Sequence, residues 1–197
     1  MSLFADTFTQ SNGDPPDAAK WEAVSGASVT VSGNQLRLET PAGAYQSAGL
    51  SIIPALIDGY NGDLDLRWDI TVGDQSVQNF LVMDFCSPGD YYQLLINGST
   101  ASLDRYAGYS SPGSVATASN FGTVATGDVL HMRFVKASGA ISFYAWLNGA
   151  SEPGTPNFTY TDGSPWTTTA VRIWILSGGS GAAQVSYLDN VTVDPAT

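Results

Sequence analysis

Apolar and polar residues alternate along most of the 197-residue chain. In GDLDLRWDITV, residues 62–72, leucine, tryptophan and isoleucine side chains occupy every second position, and charged side chains occupy most positions between them. Because successive side chains of a strand point to opposite faces, this pattern predicts a half-buried β-strand. Further strands are predicted within residues 27–40, 78–85, 91–98, 129–137, 139–149, 170–179 and 184–193.

Glycine, serine, asparagine and proline punctuate these strands and predict turns between them. Gly33 and Asn34 suit the positive φ angles of a tight hairpin turn. Helical periodicity is confined to two short candidates, a single turn in residues 14–21 and a piece broken by Pro54 in residues 51–59. Many short strands with turn signals predict an all-β fold, an antiparallel β-sandwich of the jelly-roll kind, in one domain spanning residues 1–197.

The charge balance narrows the class of partner. The chain has 7 lysines and arginines against 18 aspartates and glutamates, a net charge of −11. A protein that binds nucleic acid needs a basic surface, so nucleic acid is excluded as a partner, and an anionic membrane surface is disfavoured for the same reason. Apolar runs are too short for membrane insertion. Neutral sugars, cations or a protein partner remain.

One strand carries enough acidic residues to raise the question of catalysis. Asp63, Asp65 and Asp69 share a face, and neighbours two positions apart are separated by about 6.6 Å, within the range used by pairs of glycosidase carboxylates. However, Arg67 lies between Asp65 and Asp69 and favours their charged forms, whereas a general acid needs a raised pKa. We therefore expect an ordinary strand with a solvated face.

Three segments resemble one family. The opening LFADTFTQSNGDPPDAAKWEAVSGASVTVSGNQLRLET and the closing YLDNVTV resemble the first and last strands of concanavalin A-like lectin/glucanase domains. The middle segment FLVMDFCSPGDYYQLLINGSTASLDRY is similar to the central hairpin of laminin-G-like members. The opening is also similar to domains of bacteriophage minor tail and other virion proteins. The resemblance implies a jelly roll located in a virion or outside cells, which agrees with the single cysteine and the absence of a signal peptide in the chain as given.

The resemblance also bears on catalysis and metal binding. Glucanases of this family carry Glu-x-Asp-x-x-Glu or Glu-x-Asp-x-Glu on one strand, and this chain has neither pattern. The resemblance therefore implies the fold without the hydrolase, and we expect the protein not to be an enzyme. Family members often bind a structural Ca²⁺ between the opening strand and an aspartate of the closing strand, which implies Asp6 and Asp189 as metal ligands here.

The polar faces of the later strands are rich in aromatic and hydrogen-bonding side chains. If these strands are neighbours in one sheet, they form a groove in which rings stack on sugars and polar groups bind hydroxyls. Alternatively, loops or a neighbouring subunit cover Trp146 and Trp174. The candidate ligand-binding residues are Tyr91, Gln93, His131, Arg133, Tyr144, Trp146 and Trp174.

Two classes of function follow. The first is a non-catalytic, lectin-like module that binds a carbohydrate or a host-surface glycan, displayed on a virion as a tail or capsid decoration. The second is a purely structural virion protein that packs on other virion subunits. A glycoside hydrolase is a more distant alternative.

Overall fold

The computed structural model describes residues 3–23, 28–43, 46–56, 63–73, 80–87, 90–110, 113–166, 170–176 and 183–196. These residues form strands and one short 3₁₀ helix, Pro54–Leu56. The strands are β1 (Phe4–Asp6), β2 (Trp21–Ala23), β3 (Ser28–Ser32), β4 (Gln35–Glu39), β5 (Ser47–Ile52), β6 (Leu64–Val72), β7 (Phe80–Ser87), β8 (Asp90–Asn97), β9 (Thr100–Ala107), β10 (Ser114–Ala118), β11 (Val129–Ala137), β12 (Ala140–Leu147), β13 (Phe158–Thr161), β14 (Ala170–Leu176) and β15 (Val185–Pro195).

The strands pair into two antiparallel sheets. The eight-stranded sheet has the order β13-β12-β11-β6-β15-β4-β3, with β1 also paired to β15. The seven-stranded sheet has the order β10-β9-β8-β7-β14-β5-β2. Residues of both sheets contribute to one hydrophobic core, so the two sheets form a sandwich. The predicted all-β antiparallel sandwich is confirmed, and the extent of the domain over residues 1–197 stays a prediction.

The central strand β6 shows how the sequence produces this architecture. Its residues alternate strictly between buried and half-buried along the whole strand, as the pattern of residues 62–72 predicts. Trp68 is 1% exposed and is among the largest fully buried side chains of the described residues. Burying one such side chain contributes roughly 1.5–3 kcal/mol, so the pattern fixes which face of the strand points inward.

Strand β15 joins the two ends of the chain and changes partner along its length. Its first part pairs with β4, and residues 191–193 pair with β1. The register against β6 shifts between Asp189 and Thr192, and Asn190 has a φ of 50°, which marks a β-bulge at the change of partner. The opening and closing strands are therefore neighbours.

A cluster of polar side chains closes one end of the sandwich. Asp162, which follows β13, accepts hydrogen bonds from the Tyr92 hydroxyl of β8 and from Arg105 Nε of β9, the latter at 2.7 Å. Burial alone would raise the pKa of Asp162, but these two hydrogen bonds, the Ser164 N–H and the charge of Arg105 together outweigh it and hold the pKa below its usual value. Lys136 occupies an inward position of β11 and donates to the carbonyl of Trp166, and burial lowers its pKa. The cluster links one sheet to the other.

The smaller elements agree with the sequence in part. The turn at Gly33-Asn34 is confirmed, with both φ angles at 61°. The single turn predicted in residues 14–21 is present, since the Asp17 carbonyl accepts the backbone N–H groups of Lys20 and Trp21, the hydrogen bonds of one helical turn, and the chain then enters β2 directly. Residues 57–59 of the second helical candidate lie outside the described residues, and its centre is the 3₁₀ helix. Within the described ranges, no helix is long and apolar enough to cross a membrane.

Candidate functional site

The seven candidate ligand-binding residues lie in two different sheets. The expectation that they share one face is therefore wrong. The chain passes from one sheet to the other between β10 and β11, and the alternation within each strand contains no information about which sheet the strand joins. The seven-stranded sheet holds Tyr91, Gln93 and Trp174, and the eight-stranded sheet holds His131, Arg133, Tyr144 and Trp146.

On the outer face of the eight-stranded sheet, two arginines are held by acidic partners. Arg133 donates to Asp65 at 2.7 Å from Nη2 and 2.9 Å from Nε, and to Glu152 at 2.7 Å. Arg67 donates to the other oxygen of Glu152 at 2.9 Å. Burial alone would raise the pKa of Glu152, but the two arginines outweigh it and hold the pKa below its usual value. Hydrogen bonding to Asp65 is the main cause of the raised pKa of Arg133.

His131 and its neighbours are likewise paired with one another. Its Nδ1 lies 2.6 Å from Asp69 Oδ1, and its Nε2 lies 2.7 Å from the carbonyl oxygen of Asn148. Both ring nitrogens thus face acceptors. Asn190 Nδ2 donates to the second oxygen of Asp69 at 2.8 Å, and Trp146 stacks on the imidazole at 5.5 Å between ring centroids. A sugar bound here would have to compete with these contacts.

The three carboxylates of the acidic strand have protein partners. Asp63 Oδ1 accepts the backbone N–H of Ser138 at 2.8 Å, Asp65 is bound by Arg133, and Asp69 by His131 and Asn190. Arg67 Nε is 3.6 Å from Asp65 Oδ1. Each carboxylate therefore has a role in connecting β6 to its surroundings.

The outer face of the seven-stranded sheet is different in character. Tyr91 of β8 stacks on Tyr106 of β9 with centroids 4.4 Å apart and planes inclined by 10°. The Tyr106 hydroxyl donates to Gln93 Oε1 at 3.3 Å. Both rings are half-buried, so they remain partly accessible. Tyr106 was not among the candidates predicted from the sequence, although the alternation in residues 100–107 places it on the polar face of β9.

Trp174 adds a further ring to this face. Its register partner on β5 is Gly49, where a Cβ atom would lie 2.2 Å from the Trp174 Cβ, so the close approach requires glycine. The indole Nε1 of Trp174 is buried and has no hydrogen-bond partner among the described residues, and the same holds for Asp104 Oδ1, next to Gln93 in register. An unpaired buried polar atom costs roughly 1–3 kcal/mol. Both atoms are buried, and the register places Trp174 two strands and four residues from Tyr91, about 16 Å at the backbone, so the tryptophan and the tyrosine pair are separate parts of this face.

The comparisons with known proteins agree with this architecture. No family model and no curated protein sequence matches the chain. Among solved structures, the chain is similar to Rv0315 of Mycobacterium tuberculosis, an immunostimulatory antigen and pseudo β-1,3-glucanase, with a TM-score of 0.66 and 16% identity over 100% of this chain and 99% of that one. A lichenase from a mouse hindgut metagenome gives a TM-score of 0.71 and 11% identity over 98% and 99% of the two chains.

A lectin is also among the similar structures. The lumenal domain of VIP36, in its Ca²⁺- and Man3GlcNAc-bound form, gives a TM-score of 0.65 and 10% identity over 90% of this chain and 86% of that one. The chain has the jelly-roll fold of glucanases and lectins. At these identities the likeness establishes the fold, and the chemistry of this jelly roll has to be argued from its own residues.

The implied calcium ligands of the jelly roll do not fit a calcium site well. Asp6 is 5% exposed and accepts hydrogen bonds from the Phe8 N–H at 3.0 Å and from Trp21 Nε1 at 2.7 Å, with Lys20 Nζ at 3.5 Å. Ca²⁺ takes six to eight oxygen ligands and would have to compete with this ammonium group. The described residues contain no group of three or more histidine, cysteine, aspartate or glutamate side chains that could hold a metal.

Asp189 lies at the bulge of β15, opposite Asp69 of β6. Burial raises its pKa, and the negative charges of Asp69 and Asp6 add to the rise, against hydrogen bonds from the Asn190 N–H and from Gln35. A carboxyl whose pKa is raised by folding destabilises the folded state when it is ionised, and this cost disappears as the pH falls to the unfolded value of about 3.9.

We expect Asp189→Asn to raise the melting temperature at pH 7 by about 2 °C, because the amide keeps the acceptor oxygen without the charge and solvent screening keeps the effect small. The gain should shrink towards pH 4. Differential scanning calorimetry in Ca²⁺ and in chelator measures both effects, with Asp194→Asn on the same strand as the matched charge change. A calcium ligand at Asp189 would give the opposite result, a lower melting temperature of the variant in Ca²⁺ only.

Proposed function

We propose that the protein is a non-catalytic carbohydrate-binding module that binds a glycan on the outer face of its seven-stranded sheet. The observation that supports this most directly is the stacked and partly accessible ring pair of Tyr91 and Tyr106, with Gln93 hydrogen-bonded beside it. Trp174 adds a half-buried ring to the same face, and its unpaired indole nitrogen is buried beneath the surface. Sugars offer apolar ring faces for stacking and hydroxyls that both donate and accept.

The negative charge of the chain agrees with a neutral ligand. A net charge of −11 disfavours anionic polymers, while neutral sugars require no basic residues. The similar structures support the ligand class, since VIP36 is bound to Man3GlcNAc. A second similar structure concerns the endo-acting O-glycanases with which human gut microbiota initiate mucin breakdown, and it gives a TM-score of 0.68 and 14% identity.

The absence of catalysis is proposed from the placement of the acidic residues. The chain lacks both glutamate patterns of the glucanases, and its glutamates, Glu22, Glu39 and Glu152, are scattered. The acidic strand β6 belongs to the opposite sheet, and its carboxylates bind arginine, histidine and backbone groups. A general acid needs a carboxyl that can reach the substrate, whereas both oxygens of Asp65 accept hydrogen bonds from Arg133.

The setting in which the module acts is proposed from the sequence. The similarity of its opening to domains of phage tail proteins supports display on a virion, where binding of a host-surface glycan would serve attachment. The alternative is a structural virion protein whose aromatic face packs on other virion subunits. The two are separated by whether the isolated protein binds glycans.

We expect Trp174→Ala to weaken glycan binding about tenfold, because a stacking ring of the binding face is lost. Trp146→Ala, on the opposite outer face, is the matched control and should bind like the wild type. The measurement is a glycan array followed by titration calorimetry with hexasaccharides from laminarin, lichenan and chitin. Trp174→Phe keeps most of the packing on Gly49, and circular dichroism checks the fold of each variant. Loss of binding in Trp146→Ala alone would move the site to the eight-stranded sheet.

We expect no release of reducing ends from laminarin, lichenan, agarose or chitin. Asp104→Asn is the variant that tests for a catalytic pair of carboxylates on the seven-stranded sheet. The backbone register aligns Asp84, Gln93 and Asp104 in one row across β7, β8 and β9. Two strand spacings, about 9.6 Å, separate the outer two backbones. Turnover by the wild type that is abolished in Asp104→Asn would establish the glycoside hydrolase instead.

A further inference from the structure

The connection between β9 and β10 begins with a tight turn, and the second of its two central residues is a tyrosine. Ala107 and Ser110 exchange two backbone hydrogen bonds of 3.0 Å around Gly108 and Tyr109. The two central residues have φ angles of +57° and +64°, as a turn that matches the twist of the flanking strands requires. Asp90 Oδ1 accepts the Gly108 N–H at 2.9 Å and fixes the turn to the start of β8.

A tyrosine is an unfavourable residue for this backbone conformation. Side chains with a Cβ are strained in the left-handed region, and glycine, asparagine and aspartate tolerate it best. Among the described residues, Tyr109 and Phe8 are the two aromatic residues with positive φ. The remaining non-glycine positions of this kind are small or polar, namely Asn34, Ser138, Asn148 and Asn190.

The two strained aromatic residues differ in what their rings contact. Phe8 is fully buried and packs on Trp21 with ring centroids 5.7 Å apart, so burial offsets its strain. Tyr109 is 77% exposed, and the only other large apolar side chain that is exposed in the described part of the chain is Leu56, at 37%. Burial within the fold therefore does not offset the strain of Tyr109.

The position of Tyr109 relates it to the proposed glycan face. Ala107, at the base of the turn, pairs with Asp90, and the next pair inward is Tyr91 with Tyr106, whose rings stack on the outer face. Tyr109 thus extends the row of aromatic residues beyond the end of the sheet. A ligand that covers the tyrosine pair and continues past the strand ends would reach the turn.

We infer that Tyr109 is a ligand-contacting residue that stacks on a second sugar ring, so that the site binds an oligosaccharide rather than a single sugar. This inference rests on the proposed function. The ring is held outside the core at a cost to stability, and contact with the ligand is what offsets the strain. Tyr109 then sets the preference for chain length, while the tyrosine pair holds the neighbouring ring and Trp174, about 16 Å from Tyr91 by the strand register, contacts a more distant one.

The test compares Tyr109→Asn with Tyr109→Phe by titration calorimetry, using the hexasaccharides of laminarin, lichenan and chitin and the corresponding monosaccharides. Asparagine suits the turn, so Tyr109→Asn should have an equal or higher melting temperature than the wild type. It should bind the preferred hexasaccharide about fivefold more weakly, with unchanged binding of the monosaccharide. Tyr109→Phe keeps the ring and should bind within about twofold of the wild type.

The outcomes separate this inference from the proposed function. Weaker hexasaccharide binding together with an undiminished melting temperature supports the role of Tyr109. If Trp174→Ala loses binding while Tyr109→Asn binds as the wild type does, the inference is overturned and the proposed function stands. A lower melting temperature of Tyr109→Asn would show that the ring stabilises the fold and would overturn the inference as well. If the wild type binds none of the hexasaccharides, the proposed function and the inference about Tyr109 are both overturned.

Discussion

Each strand whose side chains the structure describes has residues in one shared core, and this constraint determines where function can lie. The core is filled from both sheets, and its residues occupy alternate positions along the strands. The side chains between them must point outward, so the sandwich has two outer faces that are separated by the whole core. A residue on one of them cannot help a residue on the other to bind the same small ligand.

The two faces use their polar groups in different ways. On the eight-stranded sheet, Glu152 reaches from the segment between β12 and β13 to Arg133 and Arg67 on two other strands. Half-exposed ion pairs contribute up to about 1 kcal/mol each, so the network stabilises this side of the sandwich modestly while it occupies its donors and acceptors. On the seven-stranded sheet, Trp174 and Asp104 keep polar atoms without partners among the described residues. A stable fold tolerates such atoms where a ligand or water completes them.

The sequence predicted well what depends on neighbours along the chain. The alternation in β6 and the turn at Gly33-Asn34 are local, and both are confirmed. The assignment of strands to sheets depends on contacts between distant segments, and the candidate residues were therefore grouped on one face although they occupy two. The contact of Gly49 with Trp174 could not be predicted from the sequence, because the requirement for glycine arises from the neighbouring strand.

The residue type at some inward positions cannot be explained from the sequence pattern alone. Lys136 continues the apolar series of Leu130, Met132 and Phe134, and it is 2% exposed. Its ammonium group donates to the carbonyl of Trp166, which reaches it from a loop that follows a different strand. Such a partner is set by tertiary structure, so the alternation places the lysine inside without explaining why it is tolerated there.

Under the proposed function, the glycan binds the face that contains Trp174 and leaves the opposite face untouched. The most direct measurement follows the indole N–H resonances of the five tryptophans by NMR during titration with the laminarin, lichenan and chitin hexasaccharides. Individual Trp→Phe variants assign the resonances, and Trp21, which donates to Asp6 at 2.7 Å, is an internal reference. We expect a saturable shift of the Trp174 resonance with at least one hexasaccharide and no shift of the Trp146 resonance. A shift of Trp146 alone, or the absence of any shift at Trp174, would contradict the proposed function.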